Sequence, residues 1–228
     1  MAREYRPVSC SAKSSRHTGS VVRTGARASA LRSLLEFAGY EFVAGPAPLR
    51  PNMLPAREQD EVRRLYSVLG GKQASAWFAP GGWDLTTKDG IAIELDEQFH
   101  FTRYRAMTLD SRYLVEAPWR SSYLGYCSAF GNAAARGGGR WTSASTERMF
   151  GPSDPVGNFG ERGSARGKQR ALYDAMKDLA AASGVVRLAR ISIYDEVGGA
   201  SVNDVLSGKA NVSADELRSL LERRIYER

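Results

Sequence analysis

The sequence predicts a mixed α/β fold of two or three layers. Three observations predict it: helical periodicity at both ends of the chain, a central stretch that switches to period two, and a late apolar strand set between helices. Length and composition agree. The 228 residues are 43% hydrophobic and 25% charged, enough for one large domain with its own core.

The first 23 residues are rich in Ser, Arg and Gly with few apolar positions, and read as a mobile basic tail. Residues 24–228 form the single domain. A first helix starts near Ala26, carries Leu31, Leu34, Leu35 and Ala38 on one face, and stops at Gly39. Ala44 to Pro55 holds four prolines and reads as a loop. A second helix runs from about Ala56 to Leu69, with Val62, Leu65, Tyr66 and Leu69 inward, and Gly70-Gly71 ends it.

The period then becomes two. Ala74–Phe78 reads as a short strand, Trp83–Thr86 as a second and Ile91–Asp96 as a third. Phe99 to about Val115 reads as helix followed by loop. Residues 106–167 are expected to be an irregular insertion of Gly, Arg and aromatics. Order returns with a helix over Lys168–Ala182, facing inward through Leu172, Met176 and Leu179. A strand follows over Val185–Tyr194, in which Leu188 and Arg190 alternate with Arg187, Ala189 and Ile191. Residues 201–228 complete the domain as helices: a short turn Ser201–Leu206, then a helix with a Ser213–Glu216 capping box and apolar Leu217, Leu220, Leu221 and Ile225.

Two cysteines and two histidines exclude a disulfide scaffold and a zinc site made only of Cys and His at close spacing. No apolar run approaches a bilayer span and no secretory signal is evident, so the expectation is a cytoplasmic protein without a membrane partner. The net charge of +7 is uneven. Residues 1–50 and 119–170 each carry +5, whereas 51–118 and 171–228 carry −2 and −1. Basic segments flanking an acidic middle favour a polyanionic partner, and nucleic acid is the expected one. Surplus arginine that merely aids solubility is the other reading.

The chemistry concentrates in the hairpin. Ile91, Ile93 and Leu95 share one strand face, which puts Ala92, Glu94 and Asp96 on the other. Trp83 and Leu85 are expected on the apolar face and Asp84 on the acidic one. A three-residue turn, Lys88-Asp89-Gly90, pairs Thr87 with Ile91, Leu85 with Ile93 and Asp84 with Glu94. Opposed residues have Cβ atoms about 5 Å apart. Three carboxylates therefore converge, and a divalent cation relieves such repulsion through hard oxygen ligands. An exposed face that is acidic by chance is the bland reading. It is weakened by the apolar residues around Glu94.

The stretch Asp84…Ile93-Glu94-Leu95-Asp96-Glu97-Gln98-Phe99-His100 resembles the core of PD-(D/E)xK nucleases, nearest to the branch around very-short-patch repair endonucleases. That branch has a strand reading apolar-Glu-x-Asp-Gly-x-x-His. The order of elements is similar as well, including a helix with Glu36 ahead of the hairpin and Lys168–Val197 as closing helix and strand. Asp96 stands where the superfamily usually has lysine, Glu97 where the branch has glycine, and Trp83 where proline precedes the first aspartate.

The resemblance implies a restriction-endonuclease-like core and a metal-dependent endonuclease hydrolysing phosphodiester bonds, with DNA favoured over RNA, in repair, restriction or defence. It implies Mg2+ or Mn2+ held by Asp84, Glu94 and the backbone carbonyl of Leu95. Asp96 or His100 would orient or deprotonate the attacking water. Lys168, with Gln169 and Arg170, could face the phosphate or simply form a basic helix end. A catalytically inactive nucleic-acid-binding or assembly module on the same fold is the alternative. Glu36 could support the site, or be a solvated helix position.

Other motifs carry less. Gly137-Gly138-Gly139 lacks the Lys-Ser/Thr of a phosphate loop. A Cys127–His100 dyad has no support, and a buried thiol is the commoner state. Trp119, Tyr123, Tyr126, Phe130, Trp141, Phe150 and Phe159 interleave with Arg120, Arg136, Arg140 and Arg148. That pattern suits base stacking beside phosphates, but a small aromatic core is the favoured reading.

Overall fold

The computed structural model describes residues 25–136 and 141–227, and their side chains except at 132–136. The expected basic tail and the Gly137–Gly139 run lie outside the described residues.

In chain order the elements are α1 (Ala26–Phe37), α2 (Ala56–Val68), β1 (Leu85–Thr86), β2 (Ile91–Asp96), α3 (Arg103–Leu109), α4 (Arg120–Arg136), α5 (Ala144–Phe150), α6 (Ala165–Ala182), β3 (Arg187–Ser192), β4 (Glu196–Val197), β5 (Ala200–Ser201), α7 (Val202–Leu206), α8 (Ala214–Glu222) and β6 (Ile225–Tyr226). The main sheet has the order β1-β2-β3-β6. β2 and β3 are parallel, with Glu94 beside Arg190, and the outer pairs are antiparallel. The connection between the parallel strands carries α3 to α6, as parallel pairing requires a long crossover.

Side-chain alternation divides the core. Ile91, Ile93, Leu95, Ala189 and Ile191 pack on Leu31, Leu34 and Leu35 of α1 and on Leu217, Leu220 and Leu221 of α8. On the other face Ala92 and Leu188 meet Phe101, Trp119, Tyr123 and Ala181. Helix α6 is flanked on its far side by α2 and α5 through Leu65, Tyr66, Met149, Phe150, Leu172 and Met176. The mixed α/β class is therefore present, with helices on both faces of the sheet.

The hairpin has the expected register. Leu85 pairs with Ile93, Thr87 N–H donates to Ile91 O at 2.9 Å, and Gly90 N–H donates to Thr87 O at 3.0 Å. Gly90 adopts φ 87°, a left-handed conformation that a side chain disfavours. Gly39 does the same at the end of α1, with φ 98°.

Several expectations are corrected. Ala74–Phe78 is not a strand. The outer edge of β1 is instead met by the segment 41–43, whose Val43 N–H donates to Thr86 O at 2.9 Å, while Phe78 turns in against Tyr66. The regular strand begins at Leu85, so alternation does not extend back to Trp83. Trp83 packs on the α6 side rather than with Leu85. The 106–167 stretch is not an irregular insertion: most of α3, all of α4 and α5, and the start of α6 lie in it. Gly125, Gly131 and the serines mask α4, yet Tyr123, Cys127 and Phe130 follow helical spacing, and Trp119 and Tyr123 are fully buried core. The C-terminal 201–228 stretch is not wholly helical. Ile225 leaves α8 and pairs with Ala189 in β6, because the open edge of β3 offers hydrogen bonds that a longer helix could not.

Leu35 is fully buried between α1 and the sheet. Leu35→Ala should lower unfolding free energy by about 2–5 kcal/mol in urea titration, by moving the midpoint with the slope unchanged.

Candidate functional site

Elementary strand geometry builds the site. Glu94 and Asp96 point from β2 toward α6, and Arg190 points the same way from β3, while the alternate residues are held in the opposite core. From α6, Asp174, Lys177 and Asp178 meet them at the i, i+3, i+4 spacing of one helix face. His100 enters from a 3-10 turn, Gln98–His100, directly after β2.

The pairing is dense. Lys177 Nζ lies 2.7 Å from Glu94 Oε1 and donates to Gly82 O at 2.7 Å, with its ammonium 5.1 Å from the Trp83 ring centre. Arg190 Nη1 contacts both Asp96 oxygens at 2.9 and 2.8 Å, its Nε donates to Asp178 at 2.5 Å, and its Nη2 donates to Asp174 O at 3.0 Å. Tyr123 donates its hydroxyl to Asp96 at 2.8 Å. His100 Nδ1 stands 3.0 Å from Asp96 and 2.9 Å from Asp174. Arg105, fully buried on α3, is 2.7 Å from Asp178 but not aligned for a hydrogen bond, so its N–H groups find no acceptor among the described residues.

These contacts set the charges. Burial opposes the His100 cation, but the carboxylates of Asp174 and Asp96 outweigh it and raise the pKa to about 9. Burial likewise opposes the Asp174 anion, yet His100 and Arg190 draw its pKa to about 2. Asp96 is held well below its ordinary value against burial, chiefly by Arg190 and His100. Glu94 goes the other way. Burial pushes it to about 7, with Lys177 opposing and the charge of Asp84 adding. With His100 protonated, the cations His100, Arg105, Lys177 and Arg190 match the anions Glu94, Asp96, Asp174 and Asp178.

Asp84 is left over. It lies at the exposed edge, its Oδ2 accepting Leu95 N–H at 2.9 Å. Desolvation of its carboxyl raises its pKa; the Leu95 hydrogen bond and Lys177 lower it, and Asp96 raises it. No ion pair to Asp84 occurs among the described residues. The three hairpin carboxylates thus come together electrostatically, but only Asp84 retains an unbalanced charge near solvent.

The oxygens and nitrogen of Asp96, His100 and Asp174 lie within 4.8 Å of one another. This largely buried Asp–His–Asp group could hold a metal ion. A cation there would compete with Arg190 for Asp96. The hard carboxylate of Asp84, left without an ion pair among the described residues, fits a divalent cation on charge, beside a Glu94 already paired with Lys177.

Lys168 is not part of this cluster. It lies over the Tyr104 ring, nine residues and about 13 Å along α6 from Lys177. Glu36 is exposed and pairs with Arg32 at 2.9 Å. Burial pushes the Cys127 thiol up to about 11, which excludes a ready thiolate nucleophile, and His100 is engaged elsewhere. Sequence reading missed Asp174, Lys177, Asp178 and Arg105. The signal was present in Asp174-Ala-Met-Lys177-Asp178, a polar stripe in the later half of α6, where the other positions from Ala171 to Ala182 are apolar apart from Tyr173.

Fold and site together define a mixed α/β protein with a buried ion-pair network opening at an acidic hairpin edge. The chain belongs to a family of unknown function, DUF7255, whose profile matches residues 64–208 and so covers every residue of this cluster. No curated protein and no solved structure matches the chain.

The His100 shift predicts a pH dependence. A histidine whose folded pKa of about 9 exceeds its ordinary 6.5 stabilises fully below pH 6.5, and that stabilisation is lost as pH rises through 9. Urea titrations in chelator should show wild type losing up to roughly 3 kcal/mol across this window. His100→Gln should be less stable at pH 6 and nearly flat. An equal slope in both proteins would contradict the assignment.

Proposed function

We propose that this protein is a metal-dependent nuclease that hydrolyses phosphodiester bonds in DNA. The observation that carries the reading is the hairpin Asp84–Glu94–Asp96, held by an asymmetric set of ion pairs that leaves its exposed carboxylate unbalanced. A core of restriction-endonuclease type agrees with the antiparallel β1–β2 hairpin and the helical crossover through α6 to parallel β3.

Asp84 and Glu94 would hold Mg2+ or Mn2+, with the Leu95 carbonyl alongside. When bound, the cation supplies a bound water of lowered pKa and neutralises charge at the phosphate. Lys177, rather than Lys168, is the lysine of this site: its ammonium at Glu94 offers positive charge to a phosphate oxygen. His100 carries a proton at neutral pH, which suits proton donation to a leaving oxygen better than deprotonation of water. Asp96 and Asp174 orient its ring through Nδ1.

A second reading, a catalytically inactive binding or assembly module, is favoured by one observation. Arg190 and Lys177 already neutralise Asp96 and Glu94 within the fold.

The deciding experiment incubates pure protein with supercoiled plasmid, single-stranded DNA and RNA, in Mg2+, Mn2+ or chelator. Metal-dependent cutting of DNA is expected. Asp84→Asn should abolish it while leaving the thermal midpoint within a few degrees, because Asp84 is exposed and has no ion pair among the described residues to break. Glu94→Gln is a poorer test, since it removes the partner of a buried lysine. No cutting of any substrate in either metal would overturn the nuclease reading in favour of the binding module. Undiminished cutting by Asp84→Asn would show that the site is elsewhere.

A further inference from the structure

Away from the carboxylates, three cations gather where α6 begins. The Lys168 ammonium lies 5.8 Å from the centre of the Tyr104 ring, and the Arg103 guanidinium carbon lies 5.1 Å from the same centre. The Lys72 stem passes Gly151, and Lys168 is close enough to Lys72 and Arg103 to be influenced by both charges. Burial, with these two cations, lowers the Lys168 pKa. The carboxylate that acts on Lys168 is Asp154, and it is already engaged by Arg162 at 3.2 Å and by Gly163 N–H at 2.6 Å. Neither Lys72 nor Lys168 has an ion pair among the described residues.

The end of α6 is not itself the attraction. Its first N–H groups are taken: Ala165 by Ser153 Oγ at 3.0 Å, Arg166 by Trp141 O at 3.2 Å, and Gly167 by Ser164 Oγ at 2.9 Å. Recognition there would fall to the side-chain cations. Arg103 is fixed by donation to Phe159 O at 2.9 Å and Gly160 O at 2.7 Å, so its charge is held in place rather than swinging in solvent.

We propose that Lys72, Arg103 and Lys168 form a contact surface for the phosphodiester backbone of duplex DNA, separate from the carboxylate cluster. The choice of DNA rests on the proposed nuclease function. Repelling cations without matching acids are stabilised by an anion. Lys72 and Arg103 are exposed and Lys168 half-buried, an open arrangement that suits a passing backbone rather than an enclosed small anion. Helix α6 also carries Lys177, but nine residues, or about two and a half turns, turn that buried lysine to the opposite face, so the two sites are distinct.

Fluorescence anisotropy of a labelled duplex in chelator, over about 50 to 200 mM salt, tests this. In Lys72→Gln/Lys168→Gln the plot of log affinity against log salt should become shallower by about 0.9 per lost contact. Lys72→Arg/Lys168→Arg should restore the slope. Lys209→Gln, which removes a cation on another surface, should leave the slope steeper than in the double glutamine variant. Circular dichroism melts check folding; both lysines lack ion pairs among the described residues, so little change is expected. An unchanged slope in the double variant, an equal loss with Lys209→Gln, or no duplex binding by wild type would each overturn the proposal. Cleavage is scored separately. Cutting with an unchanged slope removes only this surface, whereas a lost slope without cutting in either metal removes only the nuclease.

Discussion

The buried guanidinium of Arg190 is the interaction on which the interior of this protein depends. It lies in the central parallel pair, wholly shielded from solvent, and bonds Asp96 on the neighbouring strand and Asp178 and the Asp174 carbonyl on α6. A buried charge of this kind is costly unless every donor is met, and it gives little net stability over an apolar packing of the same volume. Its effect is geometric. The β2–β3 register and the rotation of α6 are constrained together, because a slip of either would strand a charge.

The same low-dielectric interior explains the opposite behaviour of the two strand carboxylates. Asp96 has Arg190, His100 and Tyr123 around it and stays ionised. Glu94, two residues earlier, has one lysine and a nearby acid, and is pushed to about 7. Such separation of neighbouring titrations is typical of sites that bind or transfer charge, although structural networks produce it too. Asp84 lies at the exposed edge of this network and has no ion pair among the described residues.

Regular segments were legible in the sequence where one periodicity dominated. Helices α1, α2 and α6, strand β2 and its Asp-Gly turn all rest on alternation or helical spacing that a single face enforces. Helix α4 was not, because its glycines and serines dilute a pattern carried by aromatics. β6 was not, because two residues pair only when an open strand edge is already present. Within the candidate site, the residues of the hairpin and His100 were legible from local spacing, whereas Lys177 and Arg105 depend on how distant helices lie against the sheet.

What the sequence by itself determined is the alternation that sends Glu94 and Asp96 to one face and Ile93 and Leu95 to the other, since side-chain direction in a strand is a local property. Only the tertiary structure decided which cation meets which carboxylate. Lys168 and Lys177 lie on the same helix and both looked basic, but α6 packs so that Lys177 faces Glu94 and Lys168 faces Tyr104. That choice is made by the buried apolar contacts of α6 with its neighbouring helices and the sheet, together with the Arg190 bonds to Asp174 O and Asp178, which fix the helix rotation. No feature local to either lysine encodes it.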